Sequence, residues 1–433
     1  MGNVNGMSPA EAAAKAKEAS YVLAALPDSQ RDDALQAIAA ALTEHKAAIF
    51  AANEQDLSEG QDLPAPILGR LKFDDHKLDS CLAGIRDLVA MVDPVGKLVF
   101  RRRLAQQQAD AGIDGDLILE KVTCPIGVIG VIFESRPDAL VQILALCLKS
   151  GNAVLLKGGS EARHTNRALF DVIHEAGTAA GLPDAFATLV EDRAAITELL
   201  ACDDSIDLII PRGSNAFVRY IMDNSRIPVM GHADGICHIY VDQDADIDKA
   251  IDVILDAKTQ YVAACNAVET LLVHEAIAPV LMPALEKASL EANAANNGHP
   301  VTLIEAADES DYKEYLDYKL TTRIVSGVEE AIAHINRYGS HHTDAILTEN
   351  EETADLFMTR VDSAGVYHNC STRFADGYRY GFGAEVGIST GKLHARGPVG
   401  LDGLLTCKYK LHGHGDTVGG FGDGKRSFDF KDL

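Results

Sequence analysis

Val128-Ile129-Gly130-Val131-Ile132-Phe133, followed by Glu134-Ser135-Arg136-Pro137-Asp138-Ala139, reads as a strand with no polar face running into the start of a helix. An apolar run of this length suits a strand buried on both sides, the kind found in parallel sheets covered by helices. Proline in the first turn of a helix costs little, because the N–H it lacks would have no intrahelical partner there.

Upstream, the alternation from Asp116 to Thr123 predicts an extended strand that ends before Cys124-Pro125-Ile126-Gly127. Further back, Glu11–Leu26, Asp32–Asn53 and Leu78–Val92 carry aliphatic residues at helical spacing among alanine and charged residues, and predict helices. The basic triplet Arg101-Arg102-Arg103 suits a solvated or salt-bridged surface, with a substrate-facing role as the alternative. Downstream the pattern alternates: helix Ala139–Lys149, strand Ala153–Leu156, helix Asn166–Ala180, strand Ala187–Val190, helix Ala194–Ala201, strand Ile206–Ile210, helix Asn215–Met222 and strand Ile227–Met230. Such alternation predicts a parallel sheet with helices on both faces.

A second α/β unit is expected from Cys237-His238-Ile239-Tyr240-Val241-Asp242 onward. Its helices are expected at Ala276–Ala288, Val328–Asn336 and Asn350–Val361, and its strands at Val301–Ile304, Thr322–Val325, Asp344–Thr348 and Val366–His368. The first unit lacks a GxGxxG fingerprint after its first strand. Lys157-Gly158-Gly159-Ser160 and Pro211-Arg212-Gly213-Ser214 instead sit at the carboxyl ends of expected strands, where open sheets bind ligands and helix amino termini attract phosphate. Ordinary tight turns, a flavodoxin-like domain or a sugar-phosphate domain fit the same pattern.

With 433 residues, 47% of them apolar, the chain can bury two substantial cores. No run approaches the roughly 18 apolar residues that span a bilayer, and the amino-terminal stretch carries no basic-then-hydrophobic signal, so the expectation is no membrane and a cytoplasmic setting. A net charge of −25 argues against nucleic acid as a partner, while leaving room for anionic substrates in a locally positive cleft. The eight cysteines show no CxxC cluster, and His412 with His414 lacks further ligands in sequence, so no metal is expected. One cysteine stands apart. Cys265, in Lys258-Thr259-Gln260-Tyr261-Val262-Ala263-Ala264-Cys265-Asn266-Ala267-Val268-Glu269-Thr270, lies between a helical pattern (Ile247, Ala250, Ile251, Ile254, Lys258) and a strand-like run. A buried structural thiol would fit the same place.

The segment around Cys265 closely resembles the nucleophile segment of the gamma-glutamyl phosphate reductases, also called glutamate-5-semialdehyde dehydrogenases. Further similar segments are Ile129–Asp138, Gly151–Glu161, Pro228–Gly235, Asn336–Ala345, Ser371–Gly387 and His394–Gly400. The resemblance implies an α/β fold of the aldehyde dehydrogenase type, with a Rossmann-like cofactor domain, a second α/β catalytic domain and small oligomerisation elements. It divides the chain into 1–236 (cofactor domain, with an oligomerisation element near 112–124), 237–385 (catalytic domain) and 386–433 (return to the cofactor domain, oligomerisation element and polar tail).

The implied activity is NADPH-dependent reduction of L-glutamyl 5-phosphate to L-glutamate 5-semialdehyde, with release of phosphate, in proline biosynthesis. Cys265 is then the nucleophile, with Asn266 holding its turn and polarising the substrate oxygen. Lys157, Gly158, Gly159, Ser160, Gly213 and Ser214 are expected to hold NADPH/NADP, and Arg136, Arg373 and Arg396 to bind the anionic ends of the substrate. A homo-oligomer and functional coupling to glutamate 5-kinase belong to the same expectation. Hydrolytic aldehyde dehydrogenases usually carry an oxyanion asparagine and a water-activating glutamate. The matching stretches here, Phe133–Pro137 and Met230–Gly235, retain neither at an unambiguous position. A hydrolytic NAD(P)-dependent aldehyde dehydrogenase is the alternative enzyme, and an inactive oligomeric binding protein on the same scaffold is the alternative outside catalysis.

Overall fold

The structure, a computed structural model, describes residues 7–63, 65–108, 114–191, 195–232, 234–291, 299–424 and 426–433. The chain forms two compact units. The first comprises Met1–Arg212, Asn224–Val229 and Leu401–Leu433, the second Gly213–Asp223 and Met230–Gly400.

In chain order the strands are β1 (Leu98–Ala105), β2 (Leu117–Pro125), β3 (Val128–Phe133), β4 (Ala153–Gly158), β5 (Ala187–Leu189), β6 (Leu208–Arg212), β7 (Cys237–Val241) and β8 (Val268–His274). They continue with β9 (Thr302–Glu305), β10 (Lys319–Val325), β11 (Thr343–Leu347), β12 (Gly365–His368), β13 (Gly387–Ser389), β14 (Gly397–Val399), β15 (Leu405–His412) and β16 (Lys431–Asp432).

In the first unit β5-β4-β3-β6 form a parallel sheet, with Val131 paired to Leu156 on one side and Ile210 on the other. Every residue of β3 is buried, as its unbroken apolar run predicts. The helix after it, Pro137–Lys149, opens on the proline and buries nearly all of its length. Five helices precede this sheet: Pro9–Leu23, Asp28–Glu44, Lys46–Glu59, Ala65–Leu71 and Asp75–Ala90. Ser8 and Glu11 close a capping box at the first of them. The single helix expected over Asp32–Asn53 is interrupted at His45, and Leu42 and Ile49 on either side of the break are both fully buried. Apolar spacing alone does not mark such a break.

Two further expectations are corrected. Ile227–Met230 is no strand; only a single bridge joins Val229 to Ile209, where the Pro228 carbonyl accepts from the Ile209 N–H. Pro228 has no N–H with which to continue a ladder. The helix expected from Ala194, a residue outside those described, runs from Ala195 to Leu199. An antiparallel sheet of order β15-β2-β1-β16 holds the basic triplet in β1, a strand that its charged sequence concealed. There Arg101 pairs with Glu120 at 3.3 Å, Arg102 with Asp432 at 2.6 Å and Arg103 with Asp429 at 2.6 Å, so the triplet is salt-bridged surface.

In the second unit β12-β11-β7-β8-β10-β9 form a parallel sheet. Its two faces divide the strand residues by parity. Ile239, Val241, Leu271, Val273, Ala345 and Leu347 pack with Ile254 of helix Ile247–Thr259 and Leu281 of helix Ala278–Glu291. Tyr240, Leu272 and Ile346 pack with Ile335 of helix Val328–Tyr338 and Phe357 of helix Glu351–Arg360. Coverage of both faces explains why apolar residues follow one another in Ile239–Val241, Leu271–Val273 and Ala345–Leu347.

The boundaries expected at 236/237 and 385/386 are displaced. Gly213–Asp223 joins the second unit, where Asn215 donates to Glu314 at 2.6 Å and Arg219 pairs with Asp234 at 2.9 Å. Residues 386–400 stay with it as well, because β13 pairs with β14 and His232 bonds the Ile388 carbonyl at 2.8 Å.

Candidate active site

Cys265 lies in a turn between helix Ile247–Thr259 and β8, closed by Ala264 N–H to Tyr261 O at 3.2 Å and Ala267 N–H to Ala264 O at 2.9 Å. Two buried charges bracket this segment. Lys258 Nζ donates to Glu269 at 2.6 Å, and both side chains are fully buried. Burial pushes Glu269 up to about 7, against the attraction of Lys258, and lowers Lys258 itself. The buried Asn266 fixes the turn from within, its side-chain amide donating to Ala375 O at 2.9 Å while its backbone carbonyl accepts from the Thr372 hydroxyl at 2.7 Å.

Gly235 sets the approach of the neighbouring chain. A Cβ there would lie 2.1 Å from the Cys265 carbonyl oxygen and 2.6 Å from its Cα, both backbone atoms that cannot swing aside. Gly235→Ala is therefore expected to displace the cysteine and lower kcat by about 100-fold, the usual cost of moving a reacting group by an ångström. Steady-state kinetics on a variant with native circular dichroism check this, and near-normal kcat would show that the close approach is dispensable.

The sulfur of Cys265 has a partner. His342 Nε2 lies 3.2 Å from Sγ, and Nδ1 of the same fully buried ring lies 2.9 Å from the Thr343 hydroxyl. His232 meets His342 edge-on, with ring centroids 4.9 Å apart. Its Nδ1 lies 2.8 Å from the Ile388 carbonyl, which can only accept, so that nitrogen carries the proton. His232, Cys265 and His342 precede β7, β8 and β11, and β11-β7-β8 are neighbours in one parallel sheet. The site thus gathers at the amino ends of the strands, opposite to the edge at which open sheets usually bind ligands. The two histidines were not among the residues expected from sequence. Both nevertheless fall in segments similar to the reductases, Pro228–Gly235 and Asn336–Ala345.

Three other thiols lie in the core, whereas Cys265 is partly exposed. Burial pushes Cys81 up to about 12 and also raises Cys147 and Cys237, which marks them as inert core groups.

The three expected arginines are placed differently. Arg373 donates through Nε to Gln260 at 2.9 Å, and burial, then the charge of Arg379, lowers its affinity for its proton; the Cys265 sulfur acts on it in the opposite direction. An arginine does not give up its proton, so this half-buried cation favours an anion beside it. Arg396 is engaged by Asp362, at 3.0 Å to its carboxylate and 3.0 Å to its backbone carbonyl. Arg136 belongs to the first unit, at the amino cap of helix Pro137–Lys149.

Lys157, Gly158, Gly159 and Ser160 run from the end of β4 into helix Arg163–Ala179 through the short turn Ser160–Ala162. Lys157 Nζ turns back to the Gly158 carbonyl at 2.6 Å. A Cβ on Gly158 would meet the Asn166 amide at 2.2 Å and one on Gly159 the Glu161 carboxylate at 2.1 Å, so a larger residue in the turn would have to displace those side chains. That carboxylate accepts from the Ser135 N–H at 2.6 Å and its hydroxyl at 2.7 Å, tying the β3 and β4 loops together. Ser135 has φ +45°, a conformation unusual outside glycine. A close-walled turn with an ammonium at its start and a long helix behind it fits a dinucleotide phosphate. Gly213 and Ser214 are exposed at the point where the chain leaves β6 for helix Asn215–Asn224, in the second unit.

Among the described residues no helix is long and apolar enough to cross a membrane. The sequence model of the aldehyde dehydrogenase family matches residues 83–319. A gamma-glutamyl phosphate reductase of Pelotomaculum thermopropionicum is 56% identical, covering 98% of this chain and 97% of the relative. One from Acetivibrio thermocellus is 55% identical, again over 98% and 97%. The crystal structure of gamma-glutamyl phosphate reductase from Thermotoga maritima superposes with a TM-score of 0.88 at 36% identity, over 95% of this chain and 100% of that one. With this fold and this cysteine site, the chain belongs to the gamma-glutamyl phosphate reductases, a family of aldehyde-dehydrogenase-type enzymes.

Proposed function

We propose that this chain reduces L-glutamyl 5-phosphate to L-glutamate 5-semialdehyde with NADPH, releasing phosphate, as a step of proline biosynthesis. The observation that carries the reading is the 3.2 Å approach of His342 Nε2 to the Cys265 sulfur, a nucleophile beside a base. His342 takes the thiol proton as the sulfur adds to the acyl carbon. The bond from that carbon to the phosphate oxygen then breaks, phosphate leaves and takes up a proton from solvent, and a Cys265 thioester remains. NADPH, when bound, supplies the hydride that reduces this thioester. As the carbon–sulfur bond breaks, His342 returns the proton to Cys265.

Lys157, Gly158, Gly159 and Ser160 hold the cofactor phosphates in this reading, with Gly213 and Ser214 against the dinucleotide. Asn266 holds the nucleophile's turn through one N–H of its amide, bonded to Ala375 O, and polarises the substrate oxygen through the other. Arg373 receives the substrate's phosphate or carboxylate, with Arg136 as a further candidate. Arg396, occupied by Asp362, supports the loop.

The strand β15, exposed along almost its whole length and carrying Tyr409 and Leu411, supports a homo-oligomer built through the antiparallel sheet. Sedimentation showing only monomer at assay concentrations would remove that part. A cytoplasmic setting and supply of the acyl phosphate by a glutamate kinase belong to the same reading.

The test is the reverse reaction. Semialdehyde oxidation with NADP should require inorganic phosphate, and Arg373→Lys, which keeps the charge but loses the forked donor set, should raise the KM for phosphate or semialdehyde by about 10-fold. Turnover without phosphate would instead establish the hydrolytic alternative.

A further inference from the structure

We infer that His232, Cys265 and His342 form a binding site for one zinc-class cation, whose capture closes the nucleophile reversibly. These donor atoms would hold the ion whatever the identity of the acyl substrate. One sulfur and two imidazole nitrogens lie within 4.8 Å of one another, and among the described residues this is the cluster of histidine, cysteine and carboxylate groups close enough to share an ion. Thiolate and imidazole together select zinc over calcium or magnesium, which prefer oxygen.

Second partners of the two rings strengthen the assignment. A metal-bound histidine generally gives its other ring N–H to an oxygen, which fixes both tautomer and orientation. His232 does so through Nδ1 to the Ile388 carbonyl at 2.8 Å. His342 presents Nε2 to the sulfur at 3.2 Å while its Nδ1 lies 2.9 Å from the Thr343 hydroxyl, a group able to accept the ring proton. Three protein donors leave the fourth position of a tetrahedral ion to water or to a small anion. That arrangement is typical of exchangeable sites.

Binding displaces one proton, from the Cys265 thiol to solvent, and involves no redox change. The sulfur lone pair then belongs to the ion and is withdrawn from attack on carbonyl carbon. Without a cation His342 accepts the nucleophile's proton, whereas with a cation the two histidines together hold the nucleophile blocked.

Cobalt(II) is the probe, titrated into chelator-treated, full-length protein. The expected result is one equivalent bound per chain, with a thiolate-to-cobalt absorption band and the intense visible bands of four-coordination. Cys265→Ser should abolish the thiolate band. His232→Gln and His342→Gln should each weaken binding by at least about 100-fold, the upper end of what loss of a supporting residue costs a metal site. Because His342 is fully buried and its variant risks misfolding, His232→Gln, with native circular dichroism, carries the comparison. One equivalent of zinc should also protect the Cys265 peptide from iodoacetamide, with chelator restoring labelling. Failure to bind cobalt, binding without a thiolate band, undiminished affinity in folded His232→Gln, or unprotected alkylation of Cys265 would each overturn the inference. Binding that survives all three substitutions would locate the ion elsewhere, for instance at His412 and Glu120, 3.6 Å apart, and would overturn the inference.

Discussion

Cys265→Ser is expected to lower turnover by about 1,000-fold or more while leaving folding and NADPH affinity close to those of the parent protein. Serine keeps the approximate size of the side chain but replaces a polarizable thiol with a far weaker nucleophile. The environment reinforces the contrast with the buried thiols Cys81, Cys147 and Cys237, since Cys265 is partly exposed and has an imidazole at 3.2 Å. Rapid quench with isotopically labelled acyl phosphate, followed by peptide mass spectrometry, should find substrate-dependent acyl mass on the Cys265 peptide and none on the serine variant. A folded serine variant with near-normal turnover would remove the thioester from the mechanism.

His342→Gln is expected to lower kcat/KM by about 100- to 10,000-fold, the range ordinarily supplied by a positioned acid–base group. Glutamine retains a polar side chain but cannot take up a proton. The distinguishing readout is the pH profile, because a purely structural role would scale the whole profile down without changing its form. Without His342 the thiol has to ionise unaided, so the variant's residual activity should climb toward alkaline pH, as an ordinary cysteine titrates near pH ~8.5. Alkylation of Cys265 by iodoacetamide at neutral pH should slow in parallel. An unchanged profile shape and alkylation rate would assign His342 to packing against His232 rather than to proton transfer.

Much of this architecture was legible in the sequence because burial on both faces leaves a strong mark. β3 and β4 are buried almost throughout, and in β7, β8 and β11 the apolar residues divide between two packed faces. Strands with exposed faces were less visible. β1 is dominated by arginines whose pairing acids come from β2 and from residues 429–432, whereas β15 does alternate Leu405, Cys407, Tyr409 and Leu411 with polar residues, a strand pattern that the expectations from sequence passed over.

At the site, Cys265 stood out by its setting between a helix and a strand. Its histidines did not, since they lie 33 residues before it and 77 after it and meet only where three parallel strands begin side by side. The rule that favours carboxyl edges also directs attention to the opposite end of the sheet. Among the arginines, sequence cannot distinguish one occupied by a neighbouring aspartate from one that is not, and the Arg396–Asp362 pair is a contact of residues far apart in the chain.

The Lys258–Glu269 pair has a consequence for the timing of order in the reaction. Because the pair is fully buried and joins the two ends of residues 259–268, it turns that segment into a noncovalent ring. The conformational entropy of presenting the thiol is therefore given up when the chain folds, rather than when a substrate arrives. Cutting the ring by removing one charge would leave the other stranded in the core, so the loop could not relax into a merely looser version of itself. The nucleophile is held in a preset pose, and ligand-driven adjustment falls to parts of the protein outside this ring.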